Sequence, residues 1–263
     1  MLYLDQLWSF RSFILGSVKR EFQSRYRNSV LGAAWVVLPA LAQIIIYTLI
    51  FSRLIGARLP GIDDTMGYSI YLCAGIVAWS LHTEVIGRST SVFLDNANMI
   101  KKLLFPRLCL PVIVVVSSLI NFSIILGIFV VFLTATGRFP GTSLLALLPL
   151  VLLHTLLATG IGMALGVMNV FFRDVGQLTQ IVLQFWFWLT PIVYPISILP
   201  DSIQTLVALN PMTPIIAAYQ QIFLYNSGPE WNSLIPVWII AGVMMFAALS
   251  TYRRNVTDIV DEL

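Results

Sequence analysis

Ionisable side chains inside long apolar runs are where chemistry would reside in this sequence, and few qualify. His82 and Glu84 lie in one run, His154 lies in another, and the Arg173-Asp174 pair ends that second run. An ionisable residue at membrane depth is a functional hypothesis by default, because charge is costly in hydrocarbon. Glu84 and Arg88 are four residues apart and predict an i,i+4 ion pair. Arg173 and Asp174 stand where they would cap the helix ends that they separate. An enzyme needs a convergent set: paired carboxylates, a His/Asp metal cluster, or a nucleophile beside a base. Two separated histidines and one glutamate do not supply it, so the expectation is no catalytic residue and no metal ligand. No Gly-rich loop ends in Lys-Ser or Lys-Thr, so ATP is not bound here by a P-loop. Cys73 and Cys109 are not spaced as a metal site or a disulfide framework.

The other chemistry available is neutral and polar. At about 100° per residue, Gln177, Gln180, Gln184, Trp188 and Pro191 fall within a sector of roughly 80° on one helix face. Amides hydrogen-bond hydroxyls, and the CH face of a sugar ring stacks on indole, so this stripe suits a carbohydrate in a wetted channel. The competing reading is interhelical glue between glutamines. The run Phe185-Trp186-Phe187-Trp188 wraps most of a helix, so some of its rings must face the core or lipid. A weaker stripe of Trp35, Pro39, Gln43 and Tyr47 at steps of four could oppose the first. Gly160, Gly162, Ala164 and Gly166 predict close helix packing rather than binding.

The elements that must position these residues are membrane spans. Of 263 residues, 58% are apolar and only 10% charged, and the mean hydropathy is +0.88. Soluble domains carry about 25% charged residues, so a soluble globule is excluded. A crossing needs about 20 apolar residues. Six runs qualify, roughly 33–54, 67–87, 108–134, 144–172, 178–196 and 234–252. Residues 197–226 are broken by Pro200, Pro211 and Pro214 into pieces too short to cross. They fit either a re-entrant hairpin with buried backbone or an outer loop lying on the membrane. Pro191 and Pro195 break the upper fifth span, where Thr190 or water could satisfy the freed carbonyls. Arg11, Lys19, Arg20, Arg25, Arg27, Arg88, Lys101, Lys102, Arg107, Arg173, Arg253 and Arg254 fall on one side, and only Arg53, Arg58 and Arg138 on the other. The excess places both termini in the cytoplasm. It also accounts for the formal charge of +3 without a nucleic-acid partner.

Two cytoplasmic segments are amphipathic. Leu4, Leu7, Trp8, Ile14, Leu15, Val18, Phe22 and Tyr26 recur at helical spacing and predict an interface helix within residues 1–30. It either anchors on anionic lipid or also handles an anionic substrate headgroup through its arginines. Between spans two and three, Asn96, Asn98, Lys101 and Lys102 beside Met99, Ile100 and Leu103 predict a short helix halted by Pro106. It either docks on a partner or only enforces topology.

Several motifs occur in order along the chain. They are Arg25-Tyr26-Arg27-Asn28-Ser29-Val30-Leu31-Gly32-Ala33-Ala34-Trp35, Lys101-Lys102-Leu103-Leu104-Phe105-Pro106-Arg107, Phe171-Phe172-Arg173-Asp174-Val175, Leu189-Thr190-Pro191-Ile192-Val193-Tyr194 and Leu209-Asn210-Pro211-Met212-Thr213-Pro214. Together they cover nearly the whole chain, and it resembles the permeases of bacterial polysaccharide-export ABC transporters, such as the O-antigen (Wzm-type) and teichoic-acid exporters. Pro39 stands one residue earlier than the proline usual in that family.

The resemblance implies a single all-α transmembrane domain over 1–263. It would comprise an interface helix in 1–30, six transmembrane helices over 33–252, a periplasmic re-entrant hairpin between spans five and six, and a cytoplasmic tail over 253–263. It implies a homodimer in the bacterial inner membrane, bound to two copies of a separate (Wzt-type) ATPase that carries ATP and Mg, with no cofactor on this chain. The cargo would be a polysaccharide on an undecaprenyl diphosphate carrier, O-antigen before capsule or teichoic acid. The amino-terminal helix looks like the family's gate helix, and Asn96, Asn98, Lys101 and Lys102 look like its coupling helix. Spans one and five would line the channel with Trp35, Gln43, Tyr47, Gln177, Gln180, Gln184 and Trp188. Arg25 and Arg27 would meet the carrier's diphosphate, since guanidinium matches phosphate oxygens in bidentate geometry.

Three rivals are weaker. A permease exporting a drug or small lipid would carry a narrow apolar pocket without a polar stripe. A lipid-carrier transferase lacks its carboxylate cluster, and a scaffold would not need broken helices. Charge reversal at both Arg25→Glu and Arg27→Glu is expected to abolish export while the dimer still assembles. Unchanged surface polymer in the double variant would remove the headgroup role.

Overall fold

The computed structural model describes residues 2–26, 34–48, 65–102 and 105–263, and among these every regular element is helical. In chain order the α-helices are α1 (Leu2–Ser9), α2 (Arg11–Tyr26), α3 (Ala34–Tyr47), α4 (Thr65–Asp95), α5 (Ala97–Lys102), α6 (Cys109–Ala135), α7 (Leu147–Phe171), α8 (Asp174–Leu189), α9 (Asp201–Ala208), α10 (Met212–Leu224), α11 (Trp231–Asn255) and α12 (Asp258–Glu262), with 3-10 turns at Gly141–Ala146 and Ile196–Ile198. Four segments are long and apolar enough to cross a membrane: Met66–Asp95, Cys109–Ala135, Gly141–Phe171 and Trp231–Asn255. They correspond to the expected spans two, three, four and six, and the chain is an integral membrane protein.

The two remaining expected spans differ. Most of the first, 33–54, falls on α3, with its far end outside the described residues. The fifth starts and stops earlier than 178–196, because α8 ends at Leu189. Its 16 residues rise about 24 Å, short of the roughly 30 Å hydrocarbon core. Pro191 is therefore beyond the helix and buried, not a member of the stripe. Thr190 satisfies a freed carbonyl as expected, its hydroxyl donating to the Trp186 carbonyl at 2.8 Å. The amino-terminal helix is likewise not continuous, since it breaks at Phe10. Ile14 and Val18 are buried at i,i+4, but Trp8 (72% exposed) and Leu15 (62%) face outward, which narrows the predicted apolar side. Arg173 makes no side-chain cap, while Asp174 sits in the first turn of α8, where the helix dipole favours negative charge.

Helix α7 is the centre of the bundle, packed between α4 and α11. Its small residues explain why. A Cβ at Gly166 would lie 2.4 Å from the Ser89 carbonyl oxygen, and one at Gly162 would lie 2.8 Å from the Ser89 Cβ, both on α4. A Cβ at Gly160 would lie 2.8 Å from the backbone nitrogen of Met245 on α11. Lipid tails are as apolar as leucine, so burial alone does not drive helices together in a bilayer, and close backbone packing supplies the attraction. On the outer side, α6 packs on α4 and carries α2 and α3, while α10 packs on α4 and α7.

Gly166→Ala is expected to destabilise the protein by about 1–3 kcal/mol, because the obstruction is backbone and cannot rotate away. Gly127→Ala, with nothing within 4 Å of its added methyl, should be neutral or slightly stabilising. Unfolding midpoints of the purified variants in one detergent compare the two directly.

Candidate functional site

Among the described residues, helix α8 is held along one side, against α4 and α7. Thr179 and Leu183 are buried there, with Trp186 and Phe187 half-buried on the same side. Gln177, Gln180, Gln184 and Trp188 all lie exposed on the adjoining sector, with Trp188 at 59%. Beyond them a third sector presents Leu178, Ile181, Val182, Phe185 and Leu189, also exposed. The stripe thus forms a polar band between the packed edge and an open apolar face. Gln180 stands next to that edge: a Cβ on Gly87 of α4 would come within 3.1 Å of its amide nitrogen. The aromatic run divides as its geometry requires, Trp186 and Phe187 facing in against Trp79 and Phe185 and Trp188 facing out.

Both ends of α8 are pinned by amides: Asn169, which no sequence pattern singles out, and Asn210, which lies in one of the quoted motifs. At its start, Asn169 of α7 donates from Nδ2 to the Thr90 carbonyl at 2.9 Å, and its Oδ1 accepts from the Gly176 backbone at 2.8 Å. One side chain thereby ties α4, α7 and α8 together. At the far end, Asn210 Oδ1 accepts from Trp186 Nε1 at 2.8 Å and from the Met212 backbone at 3.0 Å, while its Nδ2 donates to Thr190 Oγ1 at 2.9 Å. From Thr190 to Pro195 the chain has no helix to satisfy its carbonyls, and α4 and α10 supply donors instead. Tyr68 Oη donates to the Val193 carbonyl at 2.5 Å, Tyr71 Oη reaches the carbonyls of Pro191 (3.1 Å) and Tyr194 (3.0 Å), and Gln220 Nε2 reaches that of Pro191 at 3.5 Å. Irregular backbone at membrane depth is tolerated when protein groups satisfy it in this way.

At the other end of α4 lies a charged cluster. The expected Arg88–Glu84 pair is present at 3.3 Å, but the nearer partner of Arg88 is Glu21 of α2 at 2.5 Å. The second oxygens of both carboxylates are also engaged. Glu21 Oε2 accepts from Ser117 Oγ at 2.9 Å, and Glu84 Oε2 accepts from Asn121 Nδ2 at 2.6 Å, both on α6. Each charge is paired and hydrogen-bonded, the condition under which ions are tolerated away from water. Helix α5 follows α4 directly, with Asn96 Nδ2 donating to the Val92 carbonyl at 2.8 Å. It anchors through buried Ile100 and leaves Asn98, Lys101 and Lys102 exposed.

Comparison with known proteins agrees with this architecture. The family model for the ABC-2 type transporter matches residues 14–224. The chain belongs to the ABC-2 type transporter family.

Among relatives, this ABC-2 chain is 29% identical over 261 residues to a Myxococcus xanthus protein named as the O-antigen export system permease RfbA, covering 98% of each chain. An RfbA of the same description from Klebsiella pneumoniae is 27% identical over 236 residues, 89% of this chain and 88% of the relative. The Escherichia coli polysialic acid transport protein KpsM is 20% identical over 241 residues, 90% of each.

Other sequence-predicted positions of the ABC-2 chain are distributed as follows. Gln43 is exposed on α3, beside buried Ile44. Trp35 and Tyr47 are on α3 and Arg25 is on α2, but their side chains lie outside the described residues, as does Arg27 altogether. Read along the sequence, His82 and His154 stand apart; in the fold they stack, with ring centroids 5.4 Å apart and planes 25° from parallel. Both are fully buried, enclosed by Trp79, Trp186 and Tyr219. Nothing in the sequence pattern announced this contact, nor the Glu21–Arg88 bridge, because their partners are 72 and 67 positions away. The pair acts as aromatic packing behind α8, with only His154 Nδ1 near a hydroxyl, that of Tyr219 at 3.4 Å.

Removing Arg88 leaves two carboxylates without their cation. Arg88→Gln is expected to cost about 1–2 kcal/mol, a buried-pair penalty reduced for the roughly one-quarter exposure of the groups. Adding Glu21→Gln to it should recover part of that loss. Hydrogen exchange across α2 would read the change, and an α2 as protected in Arg88→Gln as in the parent would remove the cluster's role in holding that helix.

Proposed function

We propose that this chain is the channel-forming permease subunit of an ATP-driven exporter of lipid-linked polysaccharide, with O-antigen as its cargo class. The observation that carries the reading is similarity over 98% of both chains to a protein named as an O-antigen export permease. The similarity to the polysialic acid transport protein KpsM, over 90% of each chain, keeps the cargo within polysaccharides.

The geometry supports a division of labour within that reading. A half-packed α8 with an exposed amide and indole stripe is what a subunit would present if a second copy completed the conduit. In that homodimer, Gln177, Gln180, Gln184, Trp188 and Gln43, with Trp35 and Tyr47, would offer weak, repeated contacts to a passing glycan, as conduction requires. The apolar exposed sector of α8 would meet the partner copy or lipid. The fifth crossing would be completed by the segment after Leu189, giving, with the first at 33–54, six spans with both termini in the cytoplasm of a bacterial inner membrane. Helices α9 and α10, of 8 and 13 residues, would rise about 12 and 20 Å and so form a re-entrant hairpin on the periplasmic side. The exposed Asn98, Lys101 and Lys102 of α5 would dock on a separate ATPase, which would bind ATP and Mg and hydrolyse the nucleotide. Arg25, in the last turn of α2, and Arg27 would meet the carrier's diphosphate.

Deleting the gene in its host and fractionating lipid-linked polymer tests the reading. Long polymer accumulating on its carrier inside the cell while surface glycan disappears is the expected result. Unaffected surface glycan would overturn the polysaccharide assignment and leave a small-molecule exporter as the better account.

A further inference from the structure

A groove of 570 Å³ runs between α6, α7 and α11, lined by Val115, Leu156, Met245 and Leu249 among others. It lies away from the stripe. On α7 the groove residues Leu152 to Met163 fall on one face, whereas Ile161, Leu165 and Met168, which line the cleft against α8, fall on the opposite face. A second copy meeting α8 therefore leaves the groove uncovered. From Met163 to Leu152 it extends about 16 Å along α7, close to the roughly 15 Å of one leaflet's hydrocarbon. Arg253, in the last turn of α11, is the one charged residue among the described residues of the lining. Arg254 follows it, also exposed, and Leu7 of α1 closes the same end.

We propose that this groove is a binding site for one anionic phospholipid of the cytoplasmic leaflet, with an acyl chain laid along α7 and α11 and the phosphate at Arg253. The leaflet rests on the orientation given under the proposed function; the groove and its charge do not. An apolar trough as long as one leaflet with a guanidinium at its mouth matches that amphiphile in both length and sign. Basic pockets between membrane helices on the cytoplasmic side recognise lipid headgroups by this chemistry. The bound lipid would fill the gap that α6 and α11 leave beside α7, and through Leu7 it would touch the amino-terminal helix.

Native mass spectrometry of the full-length permease titrated with dioleoyl phosphatidylglycerol or dioleoyl phosphatidylcholine tests the site. One juxtamembrane arginine contributes about 1 kcal/mol, or about fivefold in affinity, so the anionic phosphatidylglycerol should bind about fivefold more tightly. Arg253→Gln should abolish that preference while retaining acyl binding. Leu156→Trp, which fills the groove, should reduce the retained lipid by one molecule. Equal affinity for the two lipids, or a preference that survives Arg253→Gln, would overturn the proposal. So would an oxidative cross-link between copies carrying Thr159→Cys, which would put a second copy of the chain in the groove. None of these readouts uses export, so failure here and failure of the polysaccharide assignment are separately visible.

Discussion

Helix α7 approaches α4 and α11 more closely than any side chain would allow, and the rest of the bundle is arranged around that contact. Gly162 and Gly166 face α4, and Gly160 faces α11, each where a methyl group would meet neighbouring main chain or a Cβ. In water a core of leucines would bring these helices together; in a bilayer leucine gains nothing by leaving lipid, so dense van der Waals contact has to do it. Once α4, α7 and α11 are fixed as a unit, the other elements have a rigid surface to lean on. Helix α6 packs on α4, α10 on α4 and α7, and α8 against the edge of both.

Polar groups then set what can rest on that unit and where. Helix α4 carries them at both ends. Near its beginning Tyr68 and Tyr71 hold the carbonyls of the irregular chain after α8, and near its end Arg88 joins α2 through Glu21. Two residues past Arg88, the Thr90 carbonyl accepts from Asn169, which also fixes the start of α8. Each of these groups would be costly if left without a partner at membrane depth, so their pairing constrains position more sharply than apolar contact does. Because α5 follows directly from α4, its exposed face is joined to the same helix that holds α2 and the segment beyond α8.

Local signals read well where the relevant physics is local. Long apolar runs gave spans two, three, four and six to within a few residues, apart from a second span that runs two turns further toward α5. The glycine spacing on α7 gave close packing, and the i,i+4 spacing gave the Glu84–Arg88 pair. The amide stripe was legible as a face because helical periodicity alone sets which residues share a sector, and the fold leaves that face exposed. The upper end of the fifth span was half legible: Pro191 matches the stripe by angle, yet it disfavours helix at Thr190, α8 stops at Leu189, and Asn210, Tyr71 and Gln220 hold the chain beyond it. The break of the amino-terminal segment at Phe10 and the outward turn of Leu15 had no counterpart in its periodicity, because what faces inward there is decided by α6.

The sequence by itself determined that the chain lives in a membrane, that it is helical, and that one helix bears neutral polar groups on a single face. These follow from composition, run length and a 3.6-residue repeat, quantities that need no knowledge of neighbours. Only the tertiary structure decided that Arg88 bridges two helices, that His82 and His154 stack behind Trp186, that Asn169 and Asn210 pin the two ends of α8, and that a groove opens on the side of α7 away from the stripe. Those outcomes depend on the rotation of each helix about its axis and on its height against the next. Both are set by interlocking with neighbours far away in sequence, and no local pattern encodes them.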